Sequence, residues 1–489
     1  MEAIIEEYRR LKLNYYLLLN KRRLEKGRVR ALIGLLVWHY EEKAQEGKFD
    51  VIKVHTEALS QAIEIASSIK DNYKLKEQIE ILKKEWIQRG QRSEYSWKGA
   101  PILKPPIQKI HGWERNSLNA ISLFTGAMGL DLGFLAAGFN IRVANDIDPH
   151  SRDIVEENVP FIKFILKDIN TVPPSELLKI ASIPKGELDL LIGGPPCQPF
   201  STAGKRRGLS DPRASPLQYF IKAIKELQPR AFVMEEVPGI LSSRLKHVPI
   251  NERGRRPLMP EEKPGSAFKV IMEMLESTGY NIIYGRLNAA DFGAPQVRER
   301  IIFIGMREGD PSLPIPTHSG KGNLNKLPWN SFWEATLDLN EGNEGGEAFP
   351  LTPKTKGYMR YVPPGGNWRD LPPRLVEEAM GGAYFSGGGK VGFYRRLTWD
   401  EPSPTLVTTP SQKGTLFVHP ILDRTLSIRE YARLQGFPDD WTLYGTLSDK
   451  YRLIGNAVPT YLSYAVAMHV KLLLEGKVVE IKRGLDAYE

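Results

Sequence analysis

The chain has 489 residues, 41% of them hydrophobic, with 67 Lys and Arg against 58 Asp and Glu and a formal charge of +9. That length predicts about two to four domains, and no apolar run near ~18 residues suggests a membrane span. A single cysteine excludes an internal disulfide and a multi-cysteine metal site, so no metal centre is expected, and it fits a reducing compartment.

Residues 1 to about 95 read as helices. Stretches such as EAIIEEYRRLKLNYYLLLNKRR and KLKEQIEILKKEWIQRG space apolar residues three and four apart between charges. Residues 1–115 hold 23 Lys and Arg against 16 Asp and Glu, which is most of the chain's positive surplus. Clusters at Lys21-Arg22-Arg23 and at Lys26, Arg28 and Arg30 stand out. Two readings are open: an added DNA-binding module, or a packing domain whose charges form its solvated face. The lopsided charge favours DNA contact.

A Pro- and Gly-bearing link, SWKGAPILKPPIQKIHG, follows. From residue 119 the pattern alternates between apolar runs and helical stretches. The runs AISLF, IRVAND, FIKFILKD, LDLLIGG, AFVMEEV, YNIIYGRL and RIIFIG predict a doubly wound, Rossmann-like α/β sheet. Residues 307–394 lose this regularity and become rich in Gly, Pro, Trp and Asn, as suits a loop-built recognition domain. Helical character returns in SIREYARLQGF and YLSYAVAMHVKLLLEG. The expected organisation is an N-terminal helical basic extension and linker over 1–110, a catalytic α/β domain over 116–306 and a smaller recognition domain over 307–420. Residues 421–476 then complete the catalytic domain, and 477–489 form a tail.

The cysteine sits in the run LLIGGPPCQPFSTAG. A free cysteine is usually a small buried hydrophobe. Here Gly193-Gly194-Pro195-Pro196 ends a strand and presents Cys197 at its tip, where open α/β sheets bind ligands. Gln198, Ser201, Lys205, Arg206 and Arg207 follow, and neighbouring cations favour a thiolate. The turn after the first strand, Phe124-Thr125-Gly126-Ala127-Met128-Gly129, lets a cofactor approach backbone at a helix N-terminus. Asp146 with Asp148, and then Asp168, close the next two runs, so acids at successive strand tips build a nucleoside pocket. The glycine spacing is not the dinucleotide GxGxxG, and S-adenosylmethionine suits it better. Glu235 and Glu236 end a further strand, where a buried carboxyl can act as proton donor. Alternation would send Gln296, Arg298 and Arg300 of QVRER to one face as a polar wall.

GGPPCQPFS, FTGAMGLDLGF, DIDP, EEVPG, QVRER, RLQGFP and IGNAVP stand in the order and at roughly the separations of the conserved blocks of DNA (cytosine-5)-methyltransferases. The chain resembles that family from 119 to about 470, and not over its first ~110 residues. The resemblance implies transfer of a methyl from S-adenosylmethionine to C5 of a cytosine in double-stranded DNA. It implies Cys197 as the nucleophile that adds to C6, and Glu235 as the acid that engages N3 and the exocyclic amine. Arg300 would hold the 2-oxo group, with Arg298 and Gln296 bracing the site. Because C6 is unreachable in a duplex, the base must be flipped. Residues 201–213 resemble the family's closing loop, with Gln198, Ser201, Lys205, Arg206 and Arg207 on the DNA side.

The same resemblance implies a cofactor pocket of Phe124, Thr125, Gly126, Gly129, Asp146 (ribose), Ile147 (adenine) and Asp168 (adenine amine), with Pro196, Leu217, Asn456 and Val458 completing it. Two departures are visible: Met128-Gly129 where the family has a Gly pair, and Glu236 where it usually has Asn. The start, MEAIIEEYRRLKL, lacks the apolar core of a signal peptide, so a cytoplasmic enzyme at the nucleoid is expected, with no membrane partner. The implied setting is a monomer that protects host DNA against a restriction endonuclease of the same site. A tRNA cytosine-5 methyltransferase and a non-catalytic DNA-binding relative are the alternatives. Residues 307–394 exceed what tRNA methylation needs, and intact Cys197, Glu235 and QVRER argue against a non-catalytic protein.

Overall fold

A computed structural model describes residues 2–22, 26–44, 51–68, 72–89, 103, 117–196, 215–246, 248, 252, 256–321, 323, 325–340, 347–385 and 392–477. Its centre is a seven-stranded sheet of order β3-β2-β1-β4-β5-β7-β6. The strands are β1 (Asn119–Leu123), β2 (Asn140–Asp146), β3 (Lys163–Leu166), β4 (Leu190–Gly193), β5 (Ala231–Glu236), β6 (Asn281–Asn288) and β7 (Glu299–Met306). β1 to β5 pair in parallel, while β7 runs antiparallel to both β5 and β6. Every run singled out in the sequence forms one of these strands. The central runs are apolar on both faces because both are covered.

Alternate residues feed two cores. Ala120, Leu190, Ile192, Ala231 and Val233 pack towards α5 (Gly129–Ala136), α6 (Pro149–Asn158) and α15 (Thr460–Leu474). Ile121, Leu123, Val143, Leu191, Phe232 and Met234 pack towards α7 (Pro174–Ala181), α8 (Ser215–Leu227) and α9 (Ser266–Glu276). Thus α15, from the far end of the chain, completes the layer that α5 begins. Gly133 makes their approach possible, since a Cβ there would lie 2.1 Å from Ser463 Oγ.

Leu447–Leu474 is long and apolar enough to cross a membrane, which tempers the reading of the sequence as free of such runs. The stretch is 61% buried in the fold and is divided between α14 (Leu447–Asn456) and α15 by the break at Ala457-Val458-Pro459. It is core.

Between β7 and α13 (Ile428–Gln435) lie the short helices α10 (Phe332–Thr336), α11 (Pro353–Met359) and α12 (Pro373–Met380). They have a small apolar cluster of their own, which includes Leu351, Tyr358, Met359, Val362, Tyr394 and Val418. The N-terminal region forms α1 (Glu2–Arg22), α2 (Lys26–Ala44), α3 (Val51–Ser68) and α4 (Asn72–Arg89). The middle of α2 is apolar all round, and Leu32, Leu35, Leu36, Val37 and Trp38 are all buried. Such a helix needs neighbours on every side, and α3, α4 and residue Pro364 are among them.

Candidate active site

β1 ends in a turn whose backbone is unusual: Phe124, Gly126 and Met128 have φ of 61°, 56° and 70°. This left-handed succession turns the chain back so that α5 starts at Gly129 with its N-terminus at the sheet edge. Gly129 is required by space, because a Cβ would meet the Val458 carbonyl at 2.4 Å. Gly126 is required by conformation, and no atom within 4 Å would meet its Cβ. The Met128 departure is harmless to packing, since its side chain is fully buried in the core.

The tips of β1, β2, β3, β4, β5 and β7 surround one cavity of about 700 Å³. A site of that size accommodates a nucleoside-sized ligand. Phe124, Thr125, Gly126, Gly129, Asp146, Ile147, Asp168, Pro196, Asn456 and Val458, expected from the sequence at a cofactor, all line this cavity. Leu217 does not: on α8 it is turned into the core, and Ser215 and Pro216, just before it, stand on the wall. Ile147 is 68% exposed, an apolar side chain held at the mouth by no packing of its own.

Asp146 is tied down on both oxygens, accepting from the Gly126 amide at 2.8 Å and from the Asp148 amide at 2.9 Å. Burial pushes its carboxyl above the ordinary value, against those amide bonds. It therefore braces the turn as well as facing the cavity. Burial would raise Asp148 too, but Arg452 and the His150 amide outweigh it and hold that carboxyl below its usual range. Asp168 caps the short turn that follows it, accepting from the Asn170 amide and side chain. Arg452, Asn170 and Leu453 also line the cavity and went unnoticed in the sequence. Arg452 was visible there within DKYRLIGNAVP, but only the Asp148 contact at 2.7 Å gives it a purpose. Behind the turn Asp131 is buried, and its pKa is pushed up to about 7 by burial, against bonds from Ser122 and Thr125.

The other end of the cavity is carboxylate and guanidinium. Glu235 at the tip of β5 and Arg300 on β7 approach to 2.5 Å, with Arg300 Nε placed off the line of an ideal hydrogen bond. Gly194 makes room for them: a Cβ there would come within 2.8 Å of Glu235 Oε2. This explains the second glycine of GGPPC. Cys197 follows Pro196 directly but lies outside the described residues, as do Gln198, Ser201, Lys205, Arg206 and Arg207.

The polar wall expected of QVRER is not built as alternation predicts. Only Arg300 reaches the cavity. β7 begins at Glu299, and the residues before it leave the sheet to bridge Gln296 to Ser403. Gln296 is fully buried, donating to Gln435 Oε1 at 3.0 Å and accepting from the Leu406 amide at 2.9 Å. Arg298 donates to the carbonyls of Leu406 and Gly455. Burial, then the nearby Arg300, drives its pKa down from the ordinary value, yet a guanidinium does not give up its proton in a protein, so the cost falls on stability. Gln296 and Arg298 thus join the sheet to Leu406, α13 and α14 and do not line the cavity. Among the described residues no cluster of His, Cys and acids could hold a metal ion.

A sheet edge with a bent glycine turn, acids at successive strand tips and a carboxylate–guanidinium pair across the same cavity defines a nucleoside-cofactor methyltransferase. Residues 118–471 match the model of the C-5 cytosine-specific DNA methylases, and the chain belongs to that family. It is 37% identical over 365 residues to the Type II methyltransferase M.PspPI of Psychrobacter sp. (strain TA137), covering 73% of this chain and 80% of that one. It is 33% identical over 404 residues to M.Eco47II of Escherichia coli, covering 80% and 87%. Among solved structures, a prophage-encoded DNA modification methyltransferase of E. coli aligns with a TM-score of 0.50 at 24% identity, over 73% of this chain and all of that one, which supports the fold. The protein is a DNA cytosine-5 methyltransferase that uses S-adenosylmethionine, and double-stranded DNA is its substrate.

Proposed function

We propose that the protein methylates C5 of a cytosine flipped out of one specific duplex sequence, through a covalent adduct on Cys197, as the modification half of a restriction–modification pair. The observation that carries this is the meeting of Glu235 and Arg300 in the cavity that the cofactor turn opens into, with Pro196, the residue before Cys197 in sequence, on its wall.

Phe124, Thr125, Gly126, Gly129, Asp146, Ile147, Asp168, Pro196, Asn456 and Val458 would hold S-adenosylmethionine, which would supply an electrophilic methyl and be left as S-adenosylhomocysteine. The open Gly126 and the cavity volume suit it. C5 of cytosine is too poor a nucleophile to take that methyl unaided. The Cys197 thiolate forms a bond to C6, and the ring electrons shift towards C5. Glu235 engages N3 and the exocyclic amine, so that the ring is neutralised as the sulfur adds. Arg300 holds the 2-oxo oxygen and, being 10% exposed, keeps its charge out of water. After C5 is methylated a base takes the C5 proton, the electron pair returns to the ring, and the C6–S bond breaks. Gln198, Ser201, Lys205, Arg206 and Arg207 contact the DNA backbone. Residues 307–420 read the sequence in the groove. The enzyme acts as a cytoplasmic monomer, beside an endonuclease of the same specificity.

Replacing Cys197 with Ser tests the mechanism. Methylation should fall by about 10³-fold or more while S-adenosylmethionine affinity changes less than about twofold. A duplex with 5-fluorocytosine at the target should trap the wild-type protein as a denaturation-resistant complex, because no C5 proton can leave. A Ser variant that turns over at the wild-type rate would overturn the mechanism.

A further inference from the structure

The four N-terminal helices lie outside the family match, and their seating is built from buried polar groups. Lys12 on α1 reaches Glu334 of α10 at 2.9 Å, with both side chains at most 3% exposed. The same Glu334 oxygen accepts from the Ser331 amide and hydroxyl, and the Glu334 carbonyl accepts from Leu103 of the link. Burial works to raise the Glu334 carboxyl, but Lys12 and Ser331 outweigh it. Beside this pair Tyr8 accepts a hydrogen bond from Trp333 at 2.7 Å, and His55 stacks on the Trp333 ring and meets Asp400 at 3.4 Å. Further along, Lys83 binds Asp370, and Trp86 covers the guanidinium of the buried Arg396.

Contact is so close at Gly34 of α2 that a Cβ would stand 2.8 Å from Pro364 Cβ and 2.9 Å from its carbonyl. A glycine in mid-helix is costly, and close approach to the small domain is the reason visible for it here.

α10 is not a dead end. Arg433 of α13 donates to the Ala335 carbonyl of α10 and pairs with Asp338 and Asp439. Two residues on, Gln435 accepts from Gln296 and donates to the carbonyls of Ile454 and Ala457 beside the cofactor cavity. Polar contacts joined by short stretches of backbone thus link α1 to the segment that carries Arg300.

We infer that the N-terminal helices are a brace for the recognition segment, and that Lys12 is a positioning residue acting through Glu334 and α10. This rests on the reading of residues 307–420 as the part that reads DNA. The brace holds that segment at a fixed stance to the cytosine-side residues, so it sets how well a bound duplex is presented. It does so without touching DNA at this face: Lys12, Lys83, His55 and Trp86 are turned inward and occupied. The side chains of Lys21, Arg22, Arg23, Lys26, Arg28 and Arg30 lie outside those described.

The test uses the full-length enzyme. Lys12→Met keeps the apolar stem and removes the charge. It should raise KM for cognate duplex about tenfold and narrow the preference over near-cognate sites, with kcat and KM for S-adenosylmethionine within about twofold. The slope of log K against log salt should not move, because a buried lysine releases no counterion; a phosphate contact would lower it by about 0.9. Amide exchange in 329–338 should quicken. The pair Lys12→Met with Glu334→Gln leaves no orphan charge and should return KM towards wild type. If Lys12→Met does not fold, Gly34→Ala carries the test. It favours helix α2 itself yet pushes against Pro364, so it should raise KM for DNA with kcat unchanged. A flattened salt slope would overturn the inference in favour of a DNA-binding arm. Equal loss in kcat and in both KM values, or no change in KM for DNA, would overturn it in favour of mere scaffolding. None of these outcomes depends on Cys197, whose substitution tests the chemistry separately.

Discussion

The cofactor turn and the recognition segment are held in place by opposite means. At the turn the fixing elements are mostly backbone: left-handed residues, a glycine against the Val458 carbonyl, an aspartate bonded to two backbone amides. In the small domain the fixing elements are single long charged side chains, one from within the domain and one from the N-terminal helices. Arg396 binds the carbonyls of Met359, Val362, His419 and Leu422 and the carboxylate of Asp423. Lys12 comes from 322 residues before its partner. A backbone-built site tolerates almost no change of shape but little depends on charge. A site built by buried ions tolerates shape changes and fails when one charge is left alone.

The largest expected effect on cofactor affinity is therefore steric and lies at the turn. Gly129→Ala places a methyl 2.4 Å from the Val458 carbonyl, a distance that only backbone movement relieves. Since both residues line the cavity, S-adenosylmethionine affinity should fall by about 100-fold or more, equivalent to ~2.7 kcal/mol or above. Isothermal titration would measure it, and an affinity within threefold of wild type would break the contrast between the two regions. Next comes Arg396→Met, which removes a charge and orphans a ring of buried carbonyls. A loss of about 3–5 kcal/mol in the stability of the small domain is expected, seen as an early transition in urea and as lost DNA binding. Cofactor binding should survive in the remaining fold, because no contact of Arg396 reaches the cavity.

The sheet and its cavity were legible in the sequence for a physical reason. Buried strands need continuous apolar runs, and ligands gather where those runs end, so AISLF and AFVMEEV announced both elements and site. Asp146, Glu235 and Arg300 stand at strand tips and could be placed by counting. Gln296 and Arg298 could not, because their direction depends on where β7 starts and on a bridge to Ser403. Leu217 failed similarly: one step along a helix turned it from wall to core. The N-terminal unit was least legible. Its basic surplus suggested DNA, yet Lys12 and Lys83 end on buried or half-buried carboxylates that no local pattern connects to them.

A smaller effect separates charge from shape within the cofactor region itself. Asp131 lies directly behind the turn, and its Oδ1 has no hydrogen-bond partner among the described residues. Its pKa rises from 3.8 to about 7 on folding, chiefly by burial. A raised carboxyl favours the protonated folded state, so its contribution is complete below about pH 4 and fades as pH rises through 7. Asp131→Asn keeps the shape and cannot ionise. Its stability should match wild type below about pH 4 and exceed it increasingly above that, by a few kcal/mol at most at pH 8. Denaturant titrations across pH would show the two curves converging towards acid; parallel curves would mean that Asp131 does not titrate on folding.

The smallest effect sharpens the comparison most closely, because it lies three residues from the largest. Gly126 has φ of 56° but no atom within 4 Å of a Cβ, so its glycine answers to conformation alone. An alanine there costs about 1–2 kcal/mol for the left-handed backbone, partly offset by the reduced entropy of the unfolded chain, ~0.4–1 kcal/mol. Gly126→Ala should consequently lower Tm by only a few degrees and leave the Gly126 amide bonded to Asp146. The added methyl projects into the cavity, so any loss of S-adenosylmethionine affinity beyond that of folding measures how closely the cofactor approaches this backbone. Two glycines of one turn would then give opposite signatures. Gly129→Ala would damage folding and binding together through Val458, and Gly126→Ala would spare the fold while reporting on the ligand. If Gly126→Ala destabilised the protein as much as Gly129→Ala, the open space beside residue 126 would be closed in solution, and the turn would be governed by packing throughout.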